Sequence, residues 1–289
     1  MECGERCVRV NLKTMQGILP YLISALLYVA MTVYFWRLHW SAAAVTPAAP
    51  GPRAMERTGV LAALGVHAIV LFGTMLAGNT LRIGVGDAIS AILWLTVLIY
   101  WLGGLFYRLE GLQALIMPAA AVAAFLPALL PAARPLPNTE LLAFKLHVLI
   151  SMLAYSLFTI ASLHVLLMAM LERRLHRGAL PAGLQKLPPL LTMETLLFRI
   201  IWAGFIMLSL TLASGAVFSE ELFGKAARLN HKTIFGIVSW IVFAALLFGR
   251  HFHGWRGRVA VRWTLTGFLM LVLAYLGSKF VVEVLLGRG

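Results

Sequence analysis

The sequence predicts an all-α, polytopic membrane bundle of about eight transmembrane helices. Of its 289 residues, 61% are hydrophobic and 12% are charged, about half the charged fraction of an ordinary soluble domain. Apolar runs near or above the ~20 residues needed to cross ~30 Å of hydrocarbon recur from end to end. No tract shows the alternation of a membrane barrel strand.

The expected spans cover residues 16–36, 59–77, 87–107, 112–131, 142–171, 196–218, 232–249 and 262–286. Between them lie the breakers AAAVTPAAPGPR (42–53), PAARPLPN (131–138) and RGALPAGLQKLPPL (177–190). In the last of these, Pro188 and Pro189 block a continuous helix. A short turn at Glu110-Gly111 makes the third and fourth spans a tight hairpin. The leading segment MECGERCVRVNLKT mixes acids with bases and makes a poor signal peptide. Met15 directly precedes the first apolar run. Residues 1–14 are therefore expected to be an extension, with residues 15–289 forming the membrane domain. Cys3 and Cys7 are the only cysteines, so there is no disulfide framework, and Cys-x3-Cys alone is weak evidence for a metal.

A net charge of +13 would suggest nucleic acid in a soluble protein. In a membrane protein it reflects cytoplasmic arginines and anionic lipid, and no nucleic-acid partner is expected. ERRLHR (172–177) and RHFHGWRGR (250–258) abut helix ends on the same side. The positive-inside rule places both in the cytoplasm and both termini outside. Arg250, Arg256, Arg258 and Arg262 are expected to anchor that topology and meet lipid phosphate, with Gly254 and Gly257 shaping the turn.

No Gly-rich phosphate loop, His-Glu-x-x-His or nucleophile elbow is found, so no catalytic residue is expected. Acidic residues inside the spans are nearly absent. Asp87, Glu110, Glu140 and Glu172 lie at boundaries and Glu283 near the last helix end, which disfavours a proton-coupled transporter. Histidine remains. His67 lies roughly 13 Å into the second span, near the midplane. His147 opens the fifth span and His231 the seventh, at one depth near the outer face. That pair could ligate one heme iron axially, because neutral imidazole is a common heme ligand. His164 is about 25 Å from His147 along the same helix and cannot share that ligand. For any one of these histidines, the plain alternative is an interfacial or core imidazole held by a hydrogen bond. Most tryptophans fall at span ends as an aromatic belt. The glycines of 73-GTMLAG-78 and Gly204, Gly215 and Gly236 are expected to pack helices, as is Ala213.

Several stretches resemble the CcsA/CcmC-type cytochrome c-assembly family, in its short HemX-like and YpjD-like branch. They include GVHAIVL with His67, ISAILWLTVLIYW, 147-HVLISMLAYSLFTIASLHVLLM-168 and 188-PPLLTMETLLFRIIWAGFIMLSLTLASG-215. The most specific is 231-HKTIFGIVSWIVFAALLFGRHFHGWRGR-258 with its Gly-Trp-Arg-Gly, followed by WTLTGFLMLVLAYLGSKFV. The resemblance implies a multi-pass protein of the bacterial inner membrane that handles heme outside the membrane, and it carries His147 onto the family's external histidine. The chain departs from the full pattern in three places. It has 219-SEELFGKAARLNHKT-233 in place of the Trp-rich Trp-Asp loop, Phe248 in place of an intramembrane histidine, and GSKFV in place of a later loop histidine. The expected role is therefore a heme-binding protein that assists cytochrome c biogenesis without catalysis of its own, through His147, His231 and His67. Its partners would be lipid and other proteins of cytochrome c or heme biogenesis. The alternative is a HemX-like regulatory or scaffolding protein without heme transfer; a small-molecule transporter is less favoured.

Overall fold

The structure is a computed structural model that describes residues 2–40, 52–75, 82–107, 109, 111–130, 141–176, 189–217 and 231–280, with side chains from residue 17 to 37 and then from residue 56 onward. The side chains of Cys3, Cys7 and His39, and all of Glu110, Glu140, Glu283 and most of the proline-rich and 219–230 connections, lie outside what is described.

Eight helices carry the described chain: α1 (Glu2–Trp40), α2 (Pro52–Met75), α3 (Val85–Gly103), α4 (Gln113–Leu129), α5 (Leu142–His176), α6 (Leu190–Val217), α7 (His231–His253) and α8 (Arg258–Phe280). Within α8, Leu273–Gly277 is wound as a wider π turn. Seven helices are long and apolar enough to cross a membrane. This refines the expectation of eight comparable spans, because α4 has only 17 residues and contains Pro118 and Pro127. It nevertheless runs back along α3. Tyr100 near the end of α3 donates to Gln113 at the start of α4 (3.2 Å). At the other end, a Cβ on Gly86 would come within 2.9 Å of the Pro127 backbone.

Proline chemistry explains how α4 is held. Pro118 has no N–H, so the carbonyl of Ala114, four residues earlier, loses its helical partner. The indole of Trp36 on α1 donates to that carbonyl at 3.1 Å. Three other tryptophans also bond to a neighbouring helix: Trp94 to the Leu64 carbonyl (2.9 Å), Trp101 to the Arg57 carbonyl (3.2 Å) and Trp240 to Ser209 Oγ (2.8 Å). These rings act as pins between helices, a role that an aromatic belt does not include.

The long helix α5 packs against α3, α6 and α8, while α1 lies on α4 and α7 lies between α6 and α8. Between helices in lipid, close approach and hydrogen bonds replace the hydrophobic drive. Phe158 of α5 stacks on Phe243 of α7 at 3.9 Å and 17°. Gly204 and Gly267 make room for these rings: a Cβ would meet Phe158 at 3.1 Å and Phe243 at 2.8 Å. Gly236 packs on Leu212 and Gly215 on His147, both at 3.4 Å. Gly73 does not pack a helix, since nothing lies within 4 Å of a Cβ there.

Candidate functional site

The starts of α3, α5 and α7 and the ends of α2, α6 and α8 share one end of the bundle. Here His147, in the second turn of α5, faces α6, and its Nδ1 lies 2.8 Å from Ser214 Oγ. Ser214 donates its own hydrogen to the Thr211 carbonyl at 3.1 Å. With that hydrogen so placed, the hydroxyl accepts the Nδ1–H of His147 and the imidazole lone pair is on Nε2; with the hydrogen turned to Nδ1, the tautomer is the reverse. An imidazole oriented through Nδ1–H is the form that ligates a metal through Nε2. On the other side of α5, Val148 and Met152 pack with Leu71, Met75 and Ile83.

His231 begins α7 and is exposed. The next residue, Lys232, places its ammonium 5.9 Å from the Tyr275 ring, and Lys279 lies 5.5 Å from the same ring. Lys279 also donates to the Ile83 carbonyl, tying the end of α8 to the entry of α3. Tyr155 donates to the Leu271 carbonyl at 2.7 Å, just before the π turn that carries Tyr275. No hydrogen bond among the described residues joins His147 to His231.

His67 is separate from this end. It is 1% exposed, with Nδ1 3.2 Å from the Tyr28 hydroxyl and Nε2 2.8 Å from Ser90 Oγ. It pins α1, α2 and α3 together. Ligating a metal through either nitrogen would break one of these bonds, so the residue fits a core role better than a heme iron. His164, buried in α5, donates Nε2–H to the Met193 carbonyl (2.9 Å) and finds no partner for Nδ1 among the described residues.

The opposite end holds the arginine-rich stretch. Residues 250–253 are the last turn of α7, so the true turn is Gly254–Gly257. Gly254 and Gly257 have φ of +64° and +51°, the left-handed region that favours glycine. This reversal folds the Trp255 indole back onto α7, where a Cβ on Gly249 would meet the ring at 2.4 Å. The Trp255 amide donates to the Gly249 carbonyl (3.2 Å), and the indole lies 5.2 Å from Trp263 of α8.

The sequence reading treats four arginines as one anchor, and the structure divides them. Arg250 turns inward. It is paired with Glu194, lies over the Phe198 ring at 4.7 Å and donates to the Trp255 carbonyl at 3.3 Å. Arg256 reaches the same Glu194 oxygen at 3.7 Å. Arg258 and Arg262 are exposed. Glu194 is the residue that sequence reasoning missed. α6 begins at Leu190, earlier than the expected residue 196, which brings this carboxylate inside the helix, where it is 7% exposed. The signal was the apolar run PLLTMETLLF, which continues on both sides of the acid. With two arginines around it, Glu194 is an ion-paired clamp rather than an isolated intramembrane acid.

Comparison with known proteins agrees with this architecture. The family model described as Cytochrome C assembly protein matches residues 58–286. The chain is 34% identical over 139 residues to "Inner membrane protein YpjD" of Escherichia coli (strain K12), covering 48% of this chain and 52% of that one. It is 36% identical over 143 residues to an "Uncharacterized 28.8 kDa protein in nifR3-like 5'region" of Azospirillum brasilense, covering 49% and 52%. To "Cytochrome c biogenesis protein CcsA" of Synechocystis sp. (strain ATCC 27184 / PCC 6803 / Kazusa) it is 32% identical over 121 residues, covering 42% and 35%. The chain thus spans about half the length of the first two relatives, or less of the third. With a family match across most of its length and a bundle of apolar helices around the Gly-Trp-Arg-Gly turn, this chain is a multi-span membrane protein that belongs to the cytochrome c assembly family.

Proposed function

We propose that this chain is a heme-binding assembly protein of the bacterial inner membrane that assists cytochrome c biogenesis without chemistry of its own. The observation that supports this most is His147. Ser214 Oγ holds its Nδ1 at 2.8 Å, and in the tautomer with Nδ1 protonated Nε2 is the nitrogen that would ligate a heme iron. In this reading His147 and His231 would hold the iron, and His67 braces α1–α3 behind them. Lys232 and Lys279 give this end a positive charge suited to the carboxylates of heme. Bound heme supplies the iron porphyrin that a cytochrome requires; the protein holds and orients it. The arginine-rich end faces the cytoplasm and both termini face outside.

The test is the visible spectrum of the purified chain, with and without added hemin. A Soret band is expected, and His147→Ala should abolish most of it while His67→Ala leaves it in place. A folded protein that stays colourless with excess hemin removes the reading. A second reading, a regulatory or scaffolding protein whose histidines are structural, draws on the engaged nitrogens of His67 and the exposure of His231. It predicts that deletion of the gene leaves cytochrome c content unchanged.

A further inference from the structure

At the arginine-rich end, the last turns of α5 and the first turns of α8 enclose a cleft of about 490 Å³. Arg173 and His176 line it from α5, and Arg258 and Arg262 from α8, over a floor of Ala169 and Val261. Glu172 is the carboxylate on its wall. None of the three arginines makes an ion pair among the described residues, unlike Arg250 and Arg256 next door. His176 Nδ1 donates to the Glu172 carbonyl at 2.8 Å. Three guanidinium groups around one cleft, with a single carboxylate near them, leave an excess of positive charge, and the guanidinium fork matches phosphate oxygens.

The chemistry on the membrane side of the cleft narrows the occupant. Leu166 is seven residues back from Arg173, and Leu269 is seven residues beyond Arg262. Seven residues are close to two helical turns, so each leucine stands on nearly the same helix face as its arginine, about 10 Å deeper. Both are exposed, at 40% and 53%. A basic cleft at the helix ends with an apolar strip running inward from it fits an amphiphile better than a soluble ion.

We propose that the α5–α8 cleft binds the phosphate headgroup of an anionic phospholipid, with an acyl chain along Leu166 and Leu269. The site is independent of heme and of the Glu194 clamp. Its ligand chemistry is a phosphate ester, which a free phosphate could share.

The experiment is native mass spectrometry of the purified full-length chain titrated with phosphatidylglycerol, against phosphatidylcholine as the neutral lipid. Phosphatidylglycerol should bind preferentially. Arg173→Ala, Arg258→Ala and Arg262→Ala should each weaken it by about fivefold. Arg174→Ala, on the same helix end but outside the cleft, should change it little. Leu166→Ser should weaken lipid binding without changing the response to charge. Size-exclusion profiles identify any variant that fails to fold, and Arg→Gln at the same positions then replaces it. Equal binding by Arg174→Ala and the three cleft variants overturns the proposal. So does tight binding of inorganic phosphate by protein in neutral detergent with no lipid preference, which would assign the cleft to a soluble anion.

Discussion

At one end of the bundle, Glu194, Arg250, Gly249 and Trp255 close on one another; at the other, His147 meets the Ser214 hydroxyl and His231 is exposed. The clasp at the first end meets nearly all its own demands. The Glu194 carboxylate takes two arginines, Arg250 covers an aromatic ring and reaches a carbonyl, and Trp255 fills the space that Gly249 leaves. At the second end His147 meets the Ser214 hydroxyl instead of an opposite charge, and two lysines lie near Tyr275. The comparison teaches that the motif carrying the family signature, Gly-Trp-Arg-Gly, is here a structural clasp, whereas the heme site proposed above would draw on less conspicuous residues at the other end.

The largest expected effect breaks the clasp. Glu194→Ala leaves Arg250 half-enclosed without its carboxylate and should cost roughly 3 kcal/mol. Thermal unfolding in detergent measures this. A double-mutant cycle with Arg250→Ala should show coupling above 0.5 kcal/mol or so, and additive effects would dissolve the clasp. Next, Gly249→Ala drives a methyl into the Trp255 ring and should destabilise by about 1–3 kcal/mol, with Trp255 fluorescence shifted toward a wetter environment. An unchanged spectrum and melting point would mean that the turn does not dock on α7.

Ser214→Ala sharpens the comparison from the other side. It removes the hydroxyl that His147 Nδ1 meets and, if His147 ligates heme as proposed, should lower hemin affinity by about tenfold or more while leaving the melting temperature nearly unaltered. A loss of stability without a change in hemin titration would make Ser214 a packing residue. The smallest effect is expected at Gly73→Ala. Its Cβ meets nothing within 4 Å, so the change should lie within about 0.5 kcal/mol of neutral. A large loss there would show a contact from a part of the chain that the described residues do not include.

Most helices could be read from the sequence because span length depends on composition alone. A backbone in lipid must satisfy its own hydrogen bonds, so each apolar run becomes a helix wherever its partners lie. The ends of those helices were harder to place. α6 starts six residues before the expected boundary and α7 runs on through His253, because a helix continues past the hydrocarbon edge until a proline or glycine stops it. The place of His147 at the start of the fifth helix had a local basis in that helix's apolar run, although its contact with Ser214, 67 residues away, had none. The pinning of His67 did not, since its partners Tyr28 and Ser90 are 39 and 23 residues away. Nor did the division of the arginines, because Glu194 and Arg250 are 56 residues apart and meet only when α6 and α7 pack.

The sequence by itself determined that this is a helical membrane protein of a recognisable family, with its positive charge gathered at two helix ends. Hydrophobic length, charge placement and the glycine-bounded turn are local properties that survive without knowledge of contacts. Only the tertiary structure decided which arginines turn inward, which histidine is held at both nitrogens and which meets a hydroxyl of the neighbouring helix. Those outcomes depend on which hydroxyl, carbonyl or carboxylate a neighbouring helix presents at the same depth, and neither composition nor periodicity along one helix encodes that.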